Sequence, residues 1–415
     1  MNVTSRMAAA LVLTAGGVAP GIAADPPAPR GYDPAVFRGG PARTGDLGPG
    51  RLPKRGEVLW RVDIDGGVGN AVVADGVVYL AGGEGSLFAI RADASAILWQ
   101  DDQPGRRFSA APAVVGDRIF IATDQGLSAH SRDNGKALWD YRIAGGAGES
   151  SPLPVGGRII VAGYDGMIHA VDAATGEQAW THDIATDAPP APPGFDQKRA
   201  VIGDNKARPM TAASDGTTVF LPIFDQSRVV AVDAATGQRR WSFAAKGWTH
   251  AEPTVAGDDV FVTSQDKNLY CLEKATGRPR WSFATRWRCE SGVAVRDGAA
   301  YFGSCDGFFY RVDAKTGQAA WSFETPKGPD GKHSPIYSSP LVSADSVCFG
   351  SFDGHFYMLD TATGDLRWKV RPVEGSEVCS SPCADGRFVF VGVRADSFKK
   401  TGTHAIVAIG ENPKK

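Results

Sequence analysis

Side chains able to bind or transform a ligand gather in two short runs, Trp248-Thr-His-Ala-Glu252 and Arg286-Trp-Arg-Cys-Glu290. Together they hold two indoles (Trp248, Trp287), one imidazole (His250), two guanidiniums (Arg286, Arg288) and two carboxylates (Glu252, Glu290). An indole face stacks on planar groups and a guanidinium fork takes a carboxylate or phosphate, so the set suits a planar or anionic ligand. The alternative is a polar rim whose charges satisfy one another, as buried charges usually do. His250 and Glu252 act as an acid/base pair only if folding brings them together, which alternation along one strand face permits. Arg208, His333 and Tyr337 complete the candidate set. No residue is assigned a catalytic role. The remaining histidines, at 130, 169, 182, 355 and 404, show no metal-ligand spacing, and no metal site is assigned.

The elements that must position these groups follow from a repeat. Trp60, Trp99, Trp139, Trp180, Trp241, Trp281, Trp321 and Trp368 stand 39, 40, 41, 61, 40, 40 and 47 residues apart. Before them recurs a turn sequence: Val171-Asp-Ala-Ala-Thr-Gly176, Val232-Asp-Ala-Ala-Thr-Gly237, Glu273-Lys-Ala-Thr-Gly277, Asp313-Ala-Lys-Thr-Gly317 and Asp360-Thr-Ala-Thr-Gly364. Asp and Thr side chains bond nearby amides and Gly supplies positive φ, so each segment joins two strands. Alternating runs such as Arg158-Ile-Ile-Val-Ala162 and Met167-Ile-His-Ala-Val171 raise the count to four short strands per unit. The expected fold is all-β, an eight-bladed β-propeller with four-stranded blades. Glu57-Val-Leu-Trp-Arg61 is an outer strand without a blade, and Ala405-Ile-Val-Ala-Ile409 is a third strand without an outer one. The N-terminal strand is therefore expected to close the last blade.

The spacing Ala-x-Asp-x-x-Thr-Gly-x-x-x-Trp, as in Ala170 to Trp180 and Ala231 to Trp241, resembles the tryptophan-docking motif of the pyrroloquinoline-quinone (PQQ)-like propeller superfamily. The resemblance covers the mature chain and implies that the eight tryptophans are structural, each packing on the neighbouring blade. In length the chain is similar to the BamB-like, non-enzymatic branch. Phe37-Arg-Gly-Gly-Pro-Ala-Arg-Thr-Gly45 resembles a leader common before such propellers. The enzymatic branch, the quinone-dependent alcohol dehydrogenases, would bring PQQ with calcium and a pair of adjacent cysteines. No two cysteines here are adjacent, and that branch's calcium carboxylates and catalytic Asp find no match, so no cofactor is assigned.

Aligned on the proline of Ser-Ser-Pro152, Glu-Pro253, Ser-Ser-Pro340 and Ser-Ser-Pro382, residues Ser109, Glu149, His250, Cys289, Tyr337 and Cys379 fall around the central funnel. Glu252, Ser291, Ser339 and Ser381 stand two residues further on. Three segments break the repeat, at 182–209, 326–333 and 394–403, and blade topology puts all three on one face. Insertions on one face of a repeat array mark either a binding side or tolerated decoration. Cys289 and Cys305 oppose each other across a hairpin near Asp297-Gly298, where a disulfide is one reading and two free thiols the other.

A formal net charge of −2 gives no long-range pull toward nucleic acid. Residues 1–24 read as an export signal, with Arg6 before an apolar stretch too short and irregular to span a bilayer, and the first cysteine, Cys271, lies too late for a lipid tether. Residues 25–56 form a leader, 57–410 the propeller and 411–415 a tail. The sequence thus reads as an exported, periplasmic or extracellular, monomeric scaffold presenting its insertion-bearing face to a protein partner or extracellular ligand. The alternatives are a PQQ-dependent or other small-molecule oxidoreductase with its site in the funnel, and a carbohydrate or peptide binder using Trp248 and Trp287.

Overall fold

The computed structural model describes residues 36–48, 51–82, 85–108, 110–147, 149–184, 210–328, 331–395 and 402–411. Its sheets are eight antiparallel blades, seven of four strands and one of five. Blade 5 is typical: inner strand Thr254–Ala256, then Asp259–Thr263, Asn268–Glu273 and outer strand Pro279–Ala284. The middle strands are apolar and buried on both faces because each blade is sandwiched between two others. Outer strands alternate exposed and half-buried residues. The core is accordingly a set of clusters at blade junctions, such as Leu153, Ile160 and Ile168 of blade 3 against Val219, Leu221 and Val230 of blade 4. Among the described residues the one helical segment is the short 3-10 turn Phe224–Gln226, and no helix is long and apolar enough to cross a membrane.

Ring closure follows the expected route. Glu57–Asp63 pairs with Ala405–Gly410, Trp60 opposite Ala408 and Asp63 opposite Ala405. Blade 8 gains its fifth strand from Ser376–Glu377, which pairs with Ala395 and Arg394.

All eight docking tryptophans sit beside a register shift in the outer strand, as between Trp180 (opposite Ala170) and Gln178 (opposite Val171). A bulge re-aims the side chain next to it, and here it turns the indole onto the next blade. Trp180 donates to the Ala234 carbonyl (3.1 Å), Trp241 to Lys274 (2.8 Å) and Trp281 to Ala314 (3.2 Å). Seven of the eight rings lie on a glycine of the turn they meet; Trp60 meets the turn Arg91–Ala96, which carries Ser95 in that place. A Cβ on Gly237 would come 2.5 Å from Trp180, and its φ of +73° already favours glycine. Trp139 is the exception: its N–H finds no acceptor, and the Ala173 carbonyl accepts Arg118 Nη1 at 3.1 Å. At the seam, Trp368 donates to Pro53 (3.1 Å) and packs on Gly56. Gly56-x-x-x-Trp60 is therefore the second half of the docking motif, supplied from the leader.

The turn aspartates carry these junctions. Asp233 Oδ1 accepts the amides of Ala235 (3.0 Å) and Thr236 (2.9 Å), and Oδ2 accepts Arg240 (2.7 Å). The Arg240 bond, with the backbone amides behind it, holds this carboxyl at about 2. A depressed folded pKa stabilises above the unfolded value and is lost as pH falls through the folded one. The gap in melting midpoint between parent and Asp233→Asn is thus expected to be full at pH 5 and to close as pH approaches 2; a constant gap would refute this.

Candidate functional site

The funnel is closed by the chain's own leader. Residues 36–48 run across the ends of the inner strands, which face the axis as unpaired edges. Pro41 O accepts Ser214 N (2.8 Å), Ala42 O accepts Val255 N (2.9 Å), Thr44 O accepts Val295 N (2.9 Å) and Gly45 O accepts Val342 N (2.8 Å). The strap thus stitches the inner strands of blades 4 to 7. These contacts lie beside the turns joining inner to second strands, so the strap seals the face opposite the blade-to-blade loops.

Two strap arginines, Arg38 and Arg43, are among the largest fully buried side chains. Arg38 Nη1 donates to Glu252 Oε1 (2.9 Å) and Nη2 to the Val293 carbonyl (2.7 Å). Arg43 donates to the carbonyls of Phe37 (2.5 Å) and Ala212 (3.1 Å). Both hold left-handed backbone, φ +58° and +55°. Burial lowers both guanidinium pKa values, Arg43 to about 9, and the Glu252 carboxylate opposes the shift at each.

Above the strap the funnel serines are committed to one another. Ala111 N donates to Ser151 Oγ (3.2 Å), Ser151 N to Thr211 Oγ1 (3.0 Å), Gly292 N to Ser339 Oγ (2.9 Å), Ser339 N to Ser381 Oγ (3.0 Å) and Ser381 N to Asn70 Oδ1 (2.7 Å). This necklace ties blades 2 to 4, and blades 6, 7, 8 and 1, one to the next around the axis. Between blades 5 and 6 it gives way to the Arg38–Glu252 pair. Gly292 leaves the room: a Cβ there would collide with the Glu252 carboxylate and the Arg38 guanidinium.

Several expectations change accordingly. Glu252 bonds Arg38 instead of His250, whose ring packs edge-on against Phe224 (5.5 Å) beside Trp248 (4.6 Å from Phe224). The funnel position of blade 6 belongs to Glu290, not Cys289. Val255 and Val295 take equivalent strap carbonyls, so the offset between blades is forty residues, and the blade-6 counterparts of His250 and Glu252 are Glu290 and Gly292, each one residue beyond Cys289 and Ser291. Cys289 and Cys305 are buried free thiols without a disulfide. His333 lies away from the mouth, its Nε2 3.3 Å from Glu324 and its ring 5.6 Å from Phe308. Arg208 and Ser109 lie outside the described residues.

Of the other candidates, Arg286 lies over the Phe308 ring (4.2 Å) and the exposed Trp287 carries Lys267 Nζ at 4.9 Å. The funnel mouth of blades 5 to 8 gathers Arg288, Glu290 and Tyr337 with residues the sequence reading passed over. Glu290 accepts Gln265 Nε2 (3.0 Å) and lies 3.1 Å from Arg288 Nε. Arg288 Nη2 donates to the Tyr337 hydroxyl (3.0 Å), and Tyr337 packs edge-on against Phe352 (4.6 Å). Arg394 lies over the Phe352 ring (5.0 Å) and donates to Glu377 (2.9 Å). Burial, then the Glu290 charge, raises the Tyr337 hydroxyl pKa.

All six cysteine thiols are pushed up, chiefly by burial: Cys271, Cys289 and Cys305 to about 12 and Cys379 to about 11, with Cys348 and Cys383 higher still. The thiolate is the reactive form, so the native protein at pH 8 is expected to take up iodoacetamide far more slowly than the urea-unfolded chain. Equal rates would overturn this burial.

Tryptophan-docked, four-stranded blades closed by the N-terminal strand define the class as a PQQ-like repeat propeller. A family model for outer membrane protein assembly factor BamB matches residues 52–189, 91–221 and 165–397, and the chain belongs to that family. BamB of Shewanella oneidensis is 28% identical over 204 residues, 45% of this chain and 46% of that protein. The quinoprotein alcohol dehydrogenase PedH of Pseudomonas putida is 31% identical over 128 residues, 26% of this chain and 22% of that protein. The chain spans about half the length or less of the curated relatives it matches. In structure it is similar to BamB from Moraxella catarrhalis (TM-score 0.65, 18% identity, 86% of this chain and 100% of that one). It is also similar to the quinohemoprotein alcohol dehydrogenase of Comamonas testosteroni (TM-score 0.73, 14% identity, 91% and 81%). At these identities the structural likeness is one of fold.

PQQ held with calcium would require carboxylate oxygens placed to ligate the cation. Of the described funnel carboxylates, Glu252 is taken by Arg38, Glu290 by Arg288 and Gln265, and Glu377 by Arg394, which leaves the exposed Glu149 alone, too few oxygens for the cation. Among the described residues no group of three His, Cys, Asp or Glu side chains gathers to hold a metal. The residues present do not fit that cofactor.

Proposed function

We propose that the protein is an exported propeller scaffold that holds a protein partner across the face carrying its blade-to-blade loops. The observation that carries this reading is the division of labour in the funnel. The opposite face is sealed by the strap, and the axis-facing serines, together with Glu252, are tied into blade-to-blade bonds. Aromatic and guanidinium groups are left exposed or half-buried on the loop face, at Trp248, Trp287, Arg288, Tyr337 and Arg394. Such side chains anchor protein interfaces. Relatives named as assembly factors of the outer membrane support the same class of role. The insertion at 182–209, of which residues 185–209 lie outside the described residues, follows the outer strand Gln178–Asp183 and is assigned to the contact.

Immobilised protein is expected to retain a partner from envelope extract, and deletion of residues 188–207 to weaken that retention. A catch unchanged by the deletion, or no catch at all, would refute the assignment. PQQ added with calcium is expected to pass through on desalting; retained quinone absorbance would favour the oxidoreductase reading instead.

A further inference from the structure

We propose that Arg288 and Arg394 form a two-pronged anchor for carboxylates on an extended, acidic segment of the partner; this rests on the scaffold reading above. Each guanidinium is held from behind by a buried acid. The side chains of Glu290 and Glu377 are 9% and 4% exposed, while those of Arg288 and Arg394 are 43% and 38% exposed. Arg288 stands in ion-pair contact with Glu290 through Nε (3.1 Å), without an aligned hydrogen bond there, lies beside the buried Cys305 thiol and donates Nη2 to Tyr337; Arg394 donates Nε to Glu377. No protein oxygen among the described residues accepts from Arg288 Nη1 or from Arg394 Nη1 and Nη2. Guanidinium N–H groups are obligate donors, and these are oriented before any ligand arrives.

Between the prongs lie the two rings in edge contact, Tyr337 and Phe352, with Arg394 over the second. Tyr337 is within electrostatic reach of both arginines. The surface therefore reads cation, aromatic floor, cation across blades 6 to 8. An extended segment presents residues i, i+2 and i+4 on one face, so acid, apolar side chain, acid at that spacing is its complement.

The acids behind the arginines decide between carboxylate and phosphate. Because Glu290 and Glu377 cancel the charge locally, the site has little excess positive potential to draw a polyanion from a distance. What remains is a pair of planar forks, whose geometry matches carboxylates bidentately. A polypeptide carboxylate is the ligand this chemistry selects.

The probe is a fluorescein-labelled peptide of sequence Glu-Gly-Phe-Gly-Glu, read by anisotropy on the full chain, with Gln-Gly-Phe-Gly-Gln as its uncharged twin. We expect saturable binding of the acidic peptide, at least about tenfold weaker for its twin. Arg288→Lys and Arg394→Lys keep the charge and remove the fork. Each is expected to weaken binding about tenfold and the pair about a hundredfold, with melting curves matching the parent. Equal binding of the two peptides, or parent-like binding by the double variant, would sink the anchor. Displacement by inorganic polyphosphate at lower concentration than by free acidic peptide would reassign the site to phosphate. An envelope partner still captured by the double variant overturns the anchor and leaves the scaffold reading standing; a parent protein that captures nothing overturns the scaffold reading itself.

Discussion

Replacing Arg38 by Ala is expected to destabilise the propeller by about 3–5 kcal/mol, because it strands a buried charge. The Glu252 side chain is 8% exposed and bonds this guanidinium at 2.9 Å, in space that Gly292 leaves open. The same change leaves the Val293 carbonyl without its partner and loosens the strap that joins four inner strands. Removing both charges should cost much less than removing one. Arg38→Met with Glu252→Gln is therefore expected to recover most of the loss, a coupling that urea unfolding of the four-member cycle measures. An Arg38→Ala variant within about 0.5 kcal/mol of the parent would mean that the strap is surface decoration.

The docking tryptophans provide the second large effect. Trp180 is 9% exposed, donates to Ala234 at 3.1 Å and presses on Gly237. Its replacement by Ala removes a large aromatic from a blade junction and should cost about 3–5 kcal/mol. A paired comparison separates packing from hydrogen bonding. Trp180→Phe loses a made bond, whereas Trp139→Phe loses none, because the Trp139 N–H has no acceptor. The first should therefore be the costlier by about 0.5–1.5 kcal/mol in denaturant unfolding. Equal costs would show that the indole bonds add nothing to the contact of ring on glycine.

The frame was legible because its signals are local and repeated. Asp172 to Gly176 and Asp233 to Gly237 carry their own turn chemistry, and the period of the tryptophans counts the blades. The site was less so. Blade 6 has Val293 where its neighbours carry the guiding proline, and the alignment slipped by one residue onto Cys289. Arg38 and Glu252 are 214 positions apart, and the leader's likeness to other leaders did not reveal that its arginines enter the ring. Phe352 and Arg394 carry no repeat signal, because one sits in a hairpin turn of blade 7 and the other at the end of a long strand of blade 8, and it is the packing of consecutive blades that brings Arg394 over Phe352 beside Tyr337. Trp248 and Trp287 were singled out for lying outside the docking period, and both remain on the loop face.

The composite blade also dictates an order of events. Glu57–Asp63 and its partner Ala405–Gly410 lie at opposite ends of the propeller sequence, so closing the ring joins residues separated by nearly all of it. Contacts this distant in sequence form slowly, and until they do the growing molecule is an open arc with bare sheet edges at both ends. The strap's partners in blades 4 to 7 all lie closer to it in sequence than that final strand lies to its own partner, so the strap closes shorter loops. It would hold the arc curved and mask the axis-facing edges during the interval, so that the last strand arrives at a gap already of the right width.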